Sequence, residues 1–128
     1  MPTFDLTVNI PVPDAKALSL EFSKFGAQLL GKPESYISVI IKVNQTLTFA
    51  GTHDPAFQLA VISLGSFSPA ANEKFSKAIS EWLNEKLGVS NDRGYIDGIA
   101  EHVHRAFIDP GNANVAYKGT TFATIFGK

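Results

Sequence analysis

Apolar and polar residues alternate from residue 3 to residue 10, with apolar side chains at positions 4, 6, 8 and 10. This period of two predicts a β-strand with one buried face. Beyond Asp14 the spacing changes to steps of four, three and four, through Leu18, Phe22, Phe25 and Leu29. Asp14 is a favourable N-cap and Gly31 a favourable C-cap, so the spacing predicts a helix running to about Leu30.

Further strands follow this helix. Residues 36–43 form a β-branched run that is almost continuously apolar, and residues 46–50 predict a short strand. Residues 57–64 are again mostly apolar, which is typical of a central strand that is covered on both faces.

A second helix is predicted after the serine–proline pair at residues 68–69, a capping residue followed by proline at the first helical position. Its apolar stripe ends at Leu87–Gly88, and Tyr95 opens another strand. The order predicts an α/β (α+β) fold: two β-α-β units forming a four-stranded mixed sheet with two helices on one face. Apolar strands need both faces covered, so we expect a second subunit on the bare face.

The chain length fits one domain spanning residues 1–128. Its 11 basic and 12 acidic side chains give a formal charge of -1, which indicates neither a nucleic-acid nor a membrane partner. The chain has no cysteine, which excludes disulfides and thiol catalysis. The first residues do not resemble a signal peptide, so a cytoplasmic location is the default expectation.

A series of landmarks in order resembles the macrophage migration inhibitory factor and D-dopachrome tautomerase family. They are Met1-Pro2, Gly31-Lys32-Pro33 with Tyr36-Ile37, Phe49-Ala50-Gly51-Thr52, Ser63-Leu64-Gly65, residues 92–96 (Asp-Arg-Gly-Tyr-Ile) and residues 114–123. The resemblance implies a trimeric tautomerase fold with active sites at subunit interfaces. It also implies keto–enol tautomerisation of aryl 2-keto acids such as phenylpyruvate, without cofactor or metal. Some relatives act as secreted, cytokine-like ligands, so a protein receptor and export without a signal peptide are further implications.

By this resemblance the catalytic base is Pro2. Removal of Met1 is required, because an internal proline nitrogen is an amide and has no basicity. Burial and a nearby cation both favour the neutral amine, and Lys32 matches the pocket lysine that supplies the cation and binds the substrate carboxylate. Tyr95 matches a tyrosine from the neighbouring subunit that lines the site or donates a proton.

The remaining substrate-binding positions are carried over in the same way. Leu64 matches a pocket isoleucine whose backbone anchors the substrate. The apolar and aromatic mouth for an aryl ring is matched by Tyr36, Val115, Tyr117 and Phe122. Tyr117 stands where tryptophan is common in the family.

Two departures leave other functions open. Asp97 occupies the place of a pocket asparagine, and its negative charge would weaken Pro2 as a base unless the carboxyl were protonated or paired with Lys32. About ten extra residues, 99–109, precede the strand at residues 114–115. These departures favour an alternative, a cytokine-like binding protein with weak or no tautomerase activity. A different proton-transfer or hydration reaction on Pro2 is a third possibility.

A metal site is disfavoured. His102 and His104 would share one face of a strand, but two histidines without a third ligand placed by spacing do not define a site.

Overall fold

A computed structural model describes residues 2–63, 65–100 and 112–127. Its strands are β1 (Thr3–Val8), β2 (Ser38–Val43), β3 (Phe57–Ser63), β4 (Gly94–Ala100), β5 (Val115–Tyr117) and β6 (Thr120–Thr121). Its helices are α1 (Ala15–Leu30), α2 (Pro69–Leu87) and the short α3 (Phe122–Phe126), with single 3-10 turns at Glu34–Tyr36 and Asn112–Asn114. No helix within these described ranges has the length and apolar content needed to cross a membrane.

The sheet contains both predicted β-α-β units. Strand β1 pairs in parallel with β2 across α1, and β3 pairs in parallel with β4 across α2. An antiparallel pairing of β1 with β3 joins the two units into the order β2-β1-β3-β4-β5-β6. The predicted four strands are therefore present, with β3 in the interior, and two short strands extend the sheet beyond β4.

Two local predictions were wrong. Residues 46–50 do not form a strand, because only a single bridge between Phe49 and Thr52 closes a tight turn there. Strand β2 begins at Ser38 rather than at Tyr36, since Glu34–Tyr36 forms a 3-10 turn in which the Tyr36 amide donates to the carbonyl of Pro33.

The caps set the ends of both long helices as predicted. The Asp14 carboxylate accepts a hydrogen bond from the Ala17 amide at 3.0 Å, and the Ser68 hydroxyl accepts one from Ala71 at 3.1 Å. Gly31 ends α1 in the left-handed conformation at φ 64°, where its amide reaches back to the last turn of the helix.

One face of the sheet is covered by both helices and holds the core. Phe4 on β1 packs against Phe22 of α1, with 5.1 Å between ring centroids, and Phe22 stacks on Trp82 of α2 at 4.6 Å. Phe4 and Phe22 are fully buried. Gly26 lets α1 approach this stack, because a β-carbon there would lie 2.6 Å from the Phe4 ring.

The other face, here called the open face, carries none of the helices in the described ranges. Rows of side chains cross it in register, and the row through Asp5 continues to Ala60 on β3 and Asp97 on β4. Asp5 pairs with Lys42 at 2.9 Å, and Ile40 on the edge strand is 49% exposed. This face mixes charges with exposed apolar side chains.

Candidate active site

Pro2 lies immediately before β1 and is buried, with less than 2% of its surface exposed. Its carbonyl accepts a hydrogen bond from the Ser38 amide at 3.0 Å, which attaches it to the start of β2. The surroundings of Pro2 therefore disfavour a positive charge on this residue.

Lys32 and Tyr36 lie on the segment that links α1 to β2. The left-handed turn at Gly31 directs the chain out of the helix, and the Lys32 amide closes that turn on the carbonyl of Ala27 at 3.1 Å. The segment leads into Ser38, whose partner across the parallel pair is Thr3. Lys32 is half-buried, whereas Tyr36 is 60% exposed. Pro2, Lys32 and Tyr36 were all predicted from the resemblance as catalytic or substrate-binding residues, and we call this predicted group the base half-site.

Four aromatic rings gather at the opposite part of the sheet. Tyr95 lies 5.7 Å from Tyr117 and 6.0 Å from Phe122, measured between ring centroids. Phe49, from the turn before β3, lies 5.2 Å from Tyr95 and 5.9 Å from Tyr117. These rings, here called the aromatic wall, border an open depression of about 490 Å³.

Three members of the aromatic wall were predicted as substrate-binding residues, and Phe49 was missed. Phe49 belongs to the Phe49-Ala50-Gly51-Thr52 landmark. Residues 46–50 were predicted as a strand, whereas Phe49 ends a tight turn that closes on Thr52, so its position beside the other rings was not predicted.

Asp97 and Val115 face each other in the antiparallel pair of β4 and β5, on the same face of the sheet as Tyr95. Burial raises the pKa of the Asp97 carboxyl above its ordinary value, because the partly desolvated charge is disfavoured. A protonated Asp97 resembles the neutral asparagine expected at this position more closely than a charged one does.

A single chain does not bring the base half-site and the aromatic wall together. Tyr95 is in register with Gln58 of β3 and, through it, with Thr7 of β1. Thr7 lies four residues beyond Thr3, about 13 Å along the strand, and β4 lies two strand spacings, about 10 Å, from β1. One protomer thus presents two separate half-sites.

Some predicted residues lie outside the described ranges. These are Leu64, His102, His104 and residues 101–109 of the insertion. Among the residues that the structure does describe, no three or more histidines, aspartates or glutamates come close enough together to hold a metal ion.

Comparison with known proteins agrees with this fold. Residues 1–123 match the family model of macrophage migration inhibitory factor. The mouse macrophage migration inhibitory factor is 35% identical over 126 residues, covering 96% of this chain and 100% of that protein.

The fold of the chain also matches solved structures. The macrophage migration inhibitory factor from Trichinella spiralis superposes with a TM-score of 0.72 at 31% identity, covering 94% of this chain and 99% of that chain. The homologue from Prochlorococcus marinus gives a TM-score of 0.72 at 27% identity over 94% and 98% of the two chains. These neighbours share a mixed α+β fold of the tautomerase type. The chain belongs to the macrophage migration inhibitory factor family.

Proposed function

We propose that the protein is a keto–enol tautomerase for aryl 2-keto acids such as phenylpyruvate, with Pro2 as general base after removal of Met1. The burial of Pro2 at the start of β1 carries this proposal. A prolyl amine in water is mostly protonated and cannot accept a proton. Removing it from water favours the neutral form, which is the form that a general base requires.

Each step of the reaction has a candidate group. The Pro2 nitrogen takes a proton from the carbon beside the carbonyl and returns it in the reverse direction. The Lys32 ammonium holds the substrate carboxylate, and the Tyr95 hydroxyl donates its proton to the carbonyl oxygen as the enol forms. After the enol leaves, the proton on Pro2 is released to water and Tyr95 takes one back, which restores both groups. The reaction moves protons only, so it requires no cofactor and no metal.

The active site is proposed to form between subunits of a homotrimer. The register separates the base half-site from the aromatic wall by about 13 Å along the strand and about 10 Å across the sheet, so one chain cannot place Tyr95 against Pro2. The aromatic wall of one copy facing the base half-site of the next would complete the pocket. Val115, Tyr117 and Phe122 would then accept the aryl ring, with Tyr36 at the entrance and the backbone of Leu64 as a further anchor.

Asp97 sets how well Pro2 works as a base. A charged carboxylate near the amine would favour its protonated form and repel a keto acid. The burial that raises the pKa of Asp97 reduces both effects. An aspartate at position 97 is therefore compatible with Pro2 as the general base.

The test is the ketonisation of phenylpyruvate enol, followed by absorbance on protein whose mass shows the loss of Met1. Pro2→Ala should lower kcat/KM at least about 100-fold, the usual contribution of a general base. Pro11→Ala, a matched change at an exposed proline just beyond β1, should stay within about twofold of wild type. Equal activity of Pro2→Ala and wild type would refute the assignment of the base.

A second candidate is a cytokine-like binding or signalling protein with weak or no tautomerase activity. The aspartate at position 97 favours it, together with the name of the relatives, which describes a factor that inhibits macrophage migration. Asp97→Asn separates the two candidates. A large gain of turnover in this variant would indicate that the native pocket is tuned away from catalysis, whereas a change within about threefold supports the enzyme.

A further inference from the structure

The guanidinium of Arg93, just before β4, fastens the turn that carries Phe49. Its Nη1 donates to the carbonyl of Phe49 at 2.8 Å, and its Nη2 donates to the Thr52 hydroxyl at 3.0 Å and to the carbonyl of Asp54 at 2.8 Å. Its Nε donates to the carbonyl of Pro55 at 3.2 Å. One side chain therefore holds both ends of the turn and the residues that lead into β3.

The turn needs this support because its backbone is unfavourable. Phe49 and Thr52 exchange two backbone hydrogen bonds of 3.1 Å, and both residues between them have positive φ, 52° at Ala50 and 76° at Gly51. Glycine adopts this region freely, but alanine does so at an energetic cost. An external clamp offsets that cost and keeps the turn closed.

Arg93 also contacts the ring that the turn presents. Its guanidinium carbon lies 5.3 Å from the centroid of the Phe49 ring, a distance typical of a cation–π interaction. The other neighbours of that ring are Tyr95 and Tyr117 of the aromatic wall. The clamp and the cation–π contact together fix where Phe49 stands within the wall.

We propose that Arg93 is a positioning residue that sets the preference for aryl over alkyl 2-keto acids by holding Phe49 in the aromatic wall. This inference rests on the proposed tautomerase function and deepens it. An aryl group gains from a preformed ring surface, whereas a short alkyl chain contacts little of it. Loss of the clamp should therefore weaken binding of aryl substrates selectively.

Lysine cannot replace Arg93 in this geometry. The planar fork places donors on three sides at once, and a lysine ammonium offers a point charge that reaches fewer of these acceptors. The base of the loop stays attached without Arg93, because the Asn9 side chain donates to the carbonyls of Leu47 and Asp54 and accepts from the Ala56 amide. Arg93→Lys should accordingly release the turn while the chain stays folded.

The experiment measures kcat and KM for phenylpyruvate and for a straight-chain 2-keto acid, together with amide hydrogen exchange at Phe49 and Thr52. For Arg93→Lys we expect KM for phenylpyruvate to rise about fivefold to tenfold with kcat within twofold, and KM for the alkyl acid to change less than twofold. Exchange at both amides should accelerate about tenfold.

Two further variants refine this test. Phe49→Leu keeps the Arg93 hydrogen bonds to the backbone but removes the ring, so it should reproduce the loss for phenylpyruvate with normal amide exchange. Lys118→Gln is the matched control, because Lys118 lies 5.8 Å from the centroid of the Tyr117 ring, and losing its single cation–π contact should change KM less than twofold.

The outcomes separate this inference from the proposed function. An unchanged KM for phenylpyruvate in Phe49→Leu, or an equal loss for both substrates in Arg93→Lys, would overturn the inference. No turnover by wild type would remove the proposed function instead. Amide exchange would then decide whether Arg93 holds the turn, since unchanged exchange in Arg93→Lys would exclude that role.

Discussion

The two faces of the sheet differ in what covers them, since both long helices pack on one face and leave the other exposed. The helix-covered face buries Phe4 and Phe22 fully within one chain and stacks Phe22 on Trp82. The open face exposes Ile40 and Tyr95 and also carries the charged pair of Asp5 and Lys42. The first face therefore holds the buried core of the protomer, and the second carries Tyr95 and Asp97 of the proposed active site.

The half-sites of one protomer lie apart, and the strand residues of the aromatic wall, Tyr95 and Tyr117, lie on the open face. Residues that pack under helices are selected for fit within one chain, whereas residues on the open face can be arranged to meet a second copy. The register distance between Thr3 and Tyr95 has no functional explanation within one protomer. In the proposed homotrimer, a neighbouring copy would supply the missing half.

The largest expected effect is on the helix-covered face. Phe22→Ala removes the ring that contacts both Phe4 and Trp82, so we expect a loss of about 4 kcal/mol in the free energy of unfolding. Leu20→Ala on the exposed side of the same helix, where the side chain is 66% exposed, should cost less than about 0.5 kcal/mol. Chemical denaturation measures both, and similar losses would contradict the assignment of the core.

A smaller effect is expected where the helix layer holds the C-terminal segment. The Glu73 carboxylate of α2 accepts hydrogen bonds from the Thr121 amide at 2.9 Å and from the hydroxyls of Thr120, Thr121 and Thr124. Burial alone would raise its pKa, but these hydrogen bonds outweigh burial and lower the pKa to about 2. Glu73 thereby fixes the start of α3, which carries Phe122 of the aromatic wall.

Glu73→Gln should cost about 1 to 2 kcal/mol at neutral pH, allowing for screening of this partly exposed group. Because the folded pKa is depressed, the stabilisation is present above pH 4.5 and is lost as pH falls towards about 2. The wild-type and variant stabilities should therefore converge in acid. Glu81→Gln, on the exposed side of the same helix, is the control, and an equal loss there would contradict the clamp.

On the open face we expect little effect on folding and a clear effect on assembly. Ile40→Ser at the edge strand should change the unfolding free energy of the isolated protomer by less than about 1 kcal/mol, because about half of the side chain is already in water. Sedimentation should show weaker association of this variant. Unchanged association would indicate that the edge of β2 is not an interface.

The smallest effect is expected at Asp97. Its folded pKa is raised, so its contribution to stability is full below pH 3.8 and is lost as pH rises through the folded pKa. Asp97→Asn should therefore be more stable than wild type at neutral pH, with no difference below pH 3.8. Asp92→Asn is the opposite control, because the Ser90 hydroxyl lowers the pKa of Asp92 and this variant should lose stability at neutral pH. If the stabilities of the two variants relative to wild type changed in the same direction with pH, the burial of Asp97 would be contradicted.

The sequence predicted the helix-covered face better than the open face, for a physical reason. The caps at Asp14 and Ser68 and the apolar steps of α1 are local signals that act within one chain. The turn at Phe49 depends instead on Arg93, 44 residues away, and no local pattern encodes that pairing. Strands β5 and β6 are too short to show a clear alternation of polar and apolar residues.

The residues of the candidate site were likewise predicted only in part. Tyr95, Tyr117 and Phe122 lie close together within one chain, whereas Phe49 was missed because its position was predicted as part of a strand. Their distance from Pro2 follows from strand register, which the sequence alone did not fix. The catalytic assignment of Pro2 and Lys32 stays a prediction.

The most direct test of the central claim compares two forms of the same protein: one with Pro2 at the N-terminus and one with a single residue added before it. The extension turns the Pro2 nitrogen into an amide and leaves every other side chain in place. The account predicts turnover of phenylpyruvate enol by the first form, and a loss of at least about 100-fold in kcat/KM for the extended form at unchanged oligomeric state. Equal turnover by both forms would contradict Pro2 as the base.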